Sequence, residues 1–72
     1  MISIDARGKA CPMPIVLLAK GMRKLASGAT LTIQADDRAF PQDIEAWCHK
    51  TKNQLVSLAD SDGQYAAVIR KA

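Results

Sequence analysis

The side chains best suited to covalent chemistry in this 72-residue chain are two thiols, Cys11 and Cys48. Only Cys11 has neighbours that prepare it for reaction. It stands in KACPMPIV (9–16), ahead of two prolines spaced two apart and an apolar run with helical spacing. Proline lacks an N–H and has a fixed φ, so Pro12 suits a first helical position, where the missing donor would be unpaired anyway. Cys11 is then expected at the N-cap, in the extended conformation that a residue before proline prefers. Pro14 removes a second donor from the same turn, leaving the Met13 N–H as the one backbone donor expected to reach the sulfur. Met13 also precedes a proline, however, so a start at Pro14 with Met13 as N-cap stands as the alternative register.

A helix terminus favours an anion by about 0.3–1 kcal/mol, equivalent to a few tenths of a pH unit. With Arg7 and Lys9 nearby, a thiolate modestly favoured over that of free cysteine is expected at Cys11. Hydrolysis by a thiol needs a base beside it and a group to orient that base, but the single histidine, His49, lies far along the chain. Pro14 occupies the second-thiol position of a CxxC redox pair, and two cysteines with one histidine make no tetrahedral metal set, so no metal or cofactor is expected. One approachable sulfur remains, suited to carrying cargo between partners.

The elements that must position this thiol follow from periodicity. ISID (2–5) alternates as a half-buried strand and ends at a turn containing Gly8. From the Cys-Pro stretch, Ile15, Leu18, Ala19, Met22, Leu25 and Ala26 form an apolar stripe that predicts a helix ending at Ser27-Gly28. Lys20, Arg23 and Lys24 fall on its solvated side. TLTIQA (30–35) alternates as a second strand. A second helix is expected from Pro41, with Asp43 complementing its dipole and Ile44, Trp47, Cys48 and Thr51 on one face. QLVSLA (54–59) and QYAAVIRK (64–71) flank Asp62-Gly63, a strong hairpin signal.

The expected fold class is therefore α/β (α+β): a two-layer βαβαββ sandwich with a four-stranded mixed sheet and both helices on one face. If the first two strands are parallel, their crossover should be right-handed. Residues 1–72 are expected to form a single domain, since the length leaves room for one core. A 49% hydrophobic share with 24% charged residues argues against disorder. The net charge of +3 is spread along the chain, and the few aromatics (Phe40, Trp47, Tyr65) offer little to stack bases, so direct nucleic-acid binding is disfavoured. No basic segment leads into a sustained apolar stretch near the start, and no run reaches about 18 apolar residues, which makes the cytoplasm the default compartment.

DARGKACPMP (5–14) resembles the Asp-x-x-Gly-x-x-Cys-Pro-x-Pro signature of the TusA/SirA/YedF family of small sulfur carrier proteins, with Asp5, Gly8, Cys11, Pro12 and Pro14 in register. The likeness continues through SGATLTIQADD, DIEAWC, NQLVSL and the terminal VIRK. It implies the same βαβαββ sandwich and a persulfide, or in some members a thiosulfonate, carried on Cys11. The sulfur would come from a cysteine desulfurase or rhodanese-like donor and pass to an acceptor protein serving tRNA thiolation, cofactor sulfuration or cytoplasmic sulfur oxidation. Pro12 and Pro14 would shape the turn, and Gly8 and Asp5 the approach loop. TKN (51–53) departs from the Thr-Gly that many members carry there, and Asn53 is expected to take the left-handed position instead.

Arg7, Lys9 and Met13 flank the thiol and are candidates for contacting a partner or an anionic cargo. Cys48 is expected in the core, Trp47 in the core or an interface, and His49 at the surface. A monomer without membrane contact is expected. Two other readings stay open from the residues alone: a small basic nucleic-acid-binding or regulatory module, and a redox protein pairing Cys11 with Cys48.

Overall fold

A computed structural model describes residues 2–72. The elements run β1 (Ile2–Asp5), α1 (Met13–Met22), β2 (Thr30–Ala35), α2 (Phe40–Thr51), β3 (Gln54–Ser61) and β4 (Gln64–Arg70). The sheet order is β1-β2-β4-β3, with β1 parallel to β2 and the other neighbours antiparallel. This is the mixed four-stranded sheet that the alternating segments predict.

Strand register explains the two layers. Ile2, Leu31 and Ile69 align across three strands, as do Ile4, Ile33 and Ala67. Side chains of aligned residues share a sheet face, and the helices lay their stripes on this one. Leu18 and Met22 of α1 and Phe40, Ile44 and Cys48 of α2 are buried in the same cluster as Leu31, Ile33 and Ile69. Trp47 is half-buried against that cluster, whereas Thr51 is exposed and its hydroxyl donates to the Trp47 carbonyl at 2.8 Å. Thr51 thus leaves the buried stripe on which it was expected.

Leu55 and Leu58 are three apart, so a regular strand would point them to opposite faces. A bulge between Leu55 and Ser57 corrects the phase: Leu55 pairs with Ile69 and Leu58 with Ala67, while Val56 is left exposed. Pairing continues through Asp60 and Ser61, two residues beyond the expected strand end. The hairpin loop is only Asp62-Gly63, with φ of 53° and 80°, the positive pair that a tight two-residue turn requires.

Two helix ends differ from expectation. α1 stops at Met22 rather than at Ser27-Gly28, because Lys24 and Leu25 donate to the carbonyls three residues back and tighten the chain into turns. Ala26 is exposed as a result. At the end of α2 it is Lys52, not Asn53, that is left-handed, with φ of 64°. Asn53 works through its side chain, donating to Thr51 Oγ1 at 3.0 Å and accepting from the Ala72 N–H at 2.9 Å. Among the described residues, no helix is long and apolar enough to cross a membrane.

Candidate functional site

Because β1 and β2 are parallel neighbours, the segments following them emerge at the same end of the sheet. The first carries Cys11 and the second carries Asp36, Asp37 and the start of α2. The Ala6 N–H donates to the Gln34 carbonyl at 2.8 Å, prolonging the parallel ladder one step beyond β1 and burying Ala6. Gly8 then turns the chain with φ of 79°, and its N–H donates to Asp36 Oδ1 at 2.9 Å. Gly8 thus has the turn role expected of it, and Asp36 is the partner that local reading could not supply.

The first turn of α1 follows neither anticipated register. The Met13 N–H donates to the Ala10 carbonyl at 2.9 Å, and the Pro12 carbonyl accepts from both Ile15 and Val16 at 3.1 Å. Helical bonding therefore begins at the Pro12 carbonyl, which makes Pro12 the N-cap and Met13 the first helical residue. Cys11 stands one residue outside, joined to Pro12 by a cis peptide. Met13 N–H is engaged in the turn and does not reach the sulfur. Pro14 is buried and anchors the turn, whereas Cys11, Pro12 and Met13 are exposed.

The sulfur finds its partner on the other helix. Cys11 Sγ donates to Asp43 Oδ2 across 2.9 Å, between residues 32 positions apart. This reverses the expected electrostatics. The Asp43 hydrogen bond, loss of hydration, and the negative charges of Asp43 and Asp37 raise the Cys11 pKa above its ordinary value. The weak pull of a helix N-terminus is outweighed by two facing carboxylates. The thiol form, not the thiolate, is favoured in the isolated protein.

Arg7 and Lys9 do not offset this effect. Arg7 forks onto Asp5, with Nε 2.9 Å from Oδ1 and a terminal nitrogen 2.9 Å from Oδ2, and its own N–H also donates to Oδ1. These bonds lower Asp5 from 3.8 to about 2. Asp5 and Arg7 thus brace each other at the exit of β1. Lys9 is exposed in the turn, its N–H donating to the Ala6 carbonyl at 3.2 Å.

Cys11, Asp37 and Asp43 bring one sulfur and two carboxylate oxygens within 4.8 Å of one another. Three donors fall one short of a closed tetrahedral site, and the thiol hydrogen bond already accounts for the approach of sulfur to oxygen. A shallow depression of about 290 Å³ lies elsewhere, lined by Arg7, Gln34, Ala59 and Ala66 among others, and does not include Cys11. Cys48 is a free thiol, 4% exposed, with its pKa raised by burial. It belongs to the core, as its helical phase predicts.

Asp37 and Asp43 lie outside what local sequence reasoning brings to this site, since position along the chain assigns Asp43 only a role beside the helix dipole. The available signal was topological: two parallel neighbouring strands deliver their following loops side by side.

The family model described as Sulfurtransferase TusA matches residues 2–71. The chain belongs to the TusA family. A Neisseria meningitidis relative bearing the provisional name of a sulfur carrier protein is 32% identical over 68 residues, covering 94% of this chain and 92% of its own. Similarly named relatives from Aquifex aeolicus and Bacillus subtilis are 34% and 40% identical, and the chain spans 36% and 34% of their lengths. The crystal structure of a SirA-like protein from Desulfitobacterium hafniense superposes with a TM-score of 0.85 at 26% identity, covering 97% of this chain and 96% of that one. TusA family membership makes this a chain of the sulfur carrier class.

Proposed function

We propose that Cys11 is the carrier residue, accepting sulfur as a persulfide from one protein and delivering it to another. The observation that carries this reading is an exposed thiol just outside the first turn of α1, hydrogen-bonded among the described residues to the Asp43 carboxylate. That partner does not raise its nucleophilicity. Such a sulfur is accessible yet poorly equipped for turnover alone, which suits cargo rather than independent catalysis.

The exchange balances without an external oxidant. The Cys11 sulfur attacks the terminal sulfur of a donor persulfide, R–S–SH, forming a new S–S bond as the donor's S–S bond breaks. The electron pair leaves on the donor sulfur, which takes the thiol proton and becomes R–SH. A cysteine desulfurase or rhodanese-like protein fits the donor role. Repetition of the step on an acceptor thiol empties the carrier, and the acceptor decides whether the sulfur serves tRNA thiolation, cofactor sulfuration or cytoplasmic sulfur oxidation. Met13 and Val16, 43% and 38% exposed and three residues apart on α1, give a docking protein apolar surface beside the thiol. In this reading residues 1–72 act as one monomeric carrier unit in the cytoplasm.

Mass spectrometry after incubation with a persulfide-loaded cysteine desulfurase tests it. Wild type is expected to gain about 32 Da on the Cys11 peptide, and Cys11→Ser to gain none. Equal gains in both would refute Cys11 as the carrier.

A further inference from the structure

We infer that Asp43 is a positioning residue for Cys11: its carboxylate holds the thiol hydrogen of the empty carrier, and that hold ends when sulfur replaces the hydrogen. This rests on the carrier reading of Cys11. The geometry is specific. Asp43 sits in the first turn of α2, half-buried, with its own N–H donating to the Ala39 carbonyl at 2.9 Å. The carboxylate is therefore mounted on a fixed backbone and reaches the sulfur at 2.9 Å.

The surroundings act in the same direction. From the segment after β2, Asp37 adds a second negative charge at the sulfur, and the first turn of α1, Met13 to Val16, contains no charged side chain. On the sulfur's own segment, Arg7 is engaged by Asp5 and Lys9 points no donor at the sulfur among the described hydrogen bonds. An empty thiolate would face two carboxylates, whereas a protonated thiol donates to one of them. Deprotonation is thus opposed until a docked partner alters this environment, which protects the empty carrier from stray electrophiles.

Loading changes the chemistry at the same atoms. In Cys11–SH + R–S–SH → Cys11–S–SH + R–SH, the new bond to sulfur removes the only hydrogen on Sγ. Sγ then has no hydrogen to donate to Asp43. The terminal sulfur of a persulfide is more acidic than a thiol, so the loaded group brings negative charge toward Asp43 and Asp37 and is repelled toward solvent. The same carboxylate retains the empty side chain and presents the full one.

The test is the pH dependence of Cys11 alkylation by iodoacetamide, read by mass spectrometry of the Cys11 peptide so that Cys48 does not contribute. Asp43→Asn and Asp43→Ala are expected to lower the midpoint and raise the rate near neutral pH by roughly threefold to tenfold, since one pH unit in the midpoint is tenfold in thiolate. Asp37→Asn should shift it less, in the same direction. In the persulfide-loaded carrier, the midpoint for alkylating the terminal sulfur should differ less between Asp43 and Asn than it does in the empty form, because the direct hydrogen bond from Sγ is gone. A merely structural role would lower the melting temperature and leave the midpoint of the empty form where it was; that result overturns the inference. Should the Asp43 variants fail to fold, the wild-type midpoint decides by comparison with the free peptide KACPMPIV: higher in the protein supports the hold, equal or lower overturns it. Sulfur loading is scored separately. Shifted midpoints without loading remove the carrier reading alone, and loading with coincident midpoints removes the Asp43 inference alone.

Discussion

The Gly8 N–H and Asp36 Oδ1 are 2.9 Å apart, and this bond joins the loop carrying Cys11 to the end of β2. Gly8 has φ of 79° and lies in an exposed turn, so little burial holds the loop in place. Asp36→Ala should cost about 1 kcal/mol, the typical net worth of such a bond, and lower the melting temperature by a few degrees, roughly 4–8 °C per kcal/mol for a chain of this size. Amide exchange at Gly8 should accelerate while exchange at Ile33, in the core of β2, changes only with global stability. Unaltered exchange at Gly8 would show that the loop is held by other means.

Close packing between α1 and the sheet sets a second expectation. A Cβ placed on Gly21 would lie 2.7 Å from Ile4 Cδ1 and 3.0 Å from Leu31 Cδ1. Glycine here lets the helix approach β1 and β2 closely. Gly21→Ala crowds the end of the flexible Ile4 side chain but improves helix propensity by about 1 kcal/mol, so its net effect should be small. Gly21→Val adds a branched side chain without that relief and should cost about 1–3 kcal/mol through overpacking. Chemical denaturation of the two variants checks the order, which should be wild type close to Ala and both above Val.

The same neighbourhood shows what could be read from the chain. Alternation identifies Leu31 and Ile33 as inward-facing, and Asp62-Gly63 identifies the hairpin, because both signals lie within a few residues. The apolar phase likewise puts Leu18, Ile44 and Cys48 inside. Backbone hydrogen bonding at chain ends is less legible: whether Met13 N–H serves the sulfur or the Ala10 carbonyl depends on a turn closed by residues on both sides. The Asp43 contact to Cys11 spans 32 positions and required knowing that β1 and β2 pair in parallel. A local dipole argument predicts a lowered thiol pKa, whereas Asp37 in the segment after β2 and Asp43 in α2 raise it.

Asp5 offers a pH signature independent of the thiol. Its carboxyl titrates at about 2 instead of 3.8 because Arg7 donates to both oxygens. A depressed carboxyl contributes stability above its unfolded value and loses it as pH falls through the folded one. The contribution is thus complete above about 3.8 and fades toward about 2. Both side chains are more than half exposed, so solvent screens the pair and the stability change should be small. Carboxyl NMR titration is the sensitive readout: Arg7→Gln should return Asp5 toward the ordinary value while leaving the Cys11 alkylation midpoint unmoved.

Cys48 provides the contrast that separates carrying from redox pairing. It is 4% exposed in the core beside Ile44, whereas Cys11 is open to solvent. Burial raises its pKa, which further reduces the thiolate available to react. In the folded protein, alkylation should therefore label Cys11 and spare Cys48, with Cys48 reacting only as denaturant exposes it. Cys48→Ser puts a hydroxyl in an apolar site at a cost of about 1–3 kcal/mol, yet persulfide loading on Cys11 should persist wherever the variant remains folded. Mild oxidation should consume one thiol per monomer. Loss of both thiols within a single chain, together with loading abolished in a folded Cys48→Ser variant, would instead establish an intramolecular cysteine pair and displace the one-sulfur mechanism.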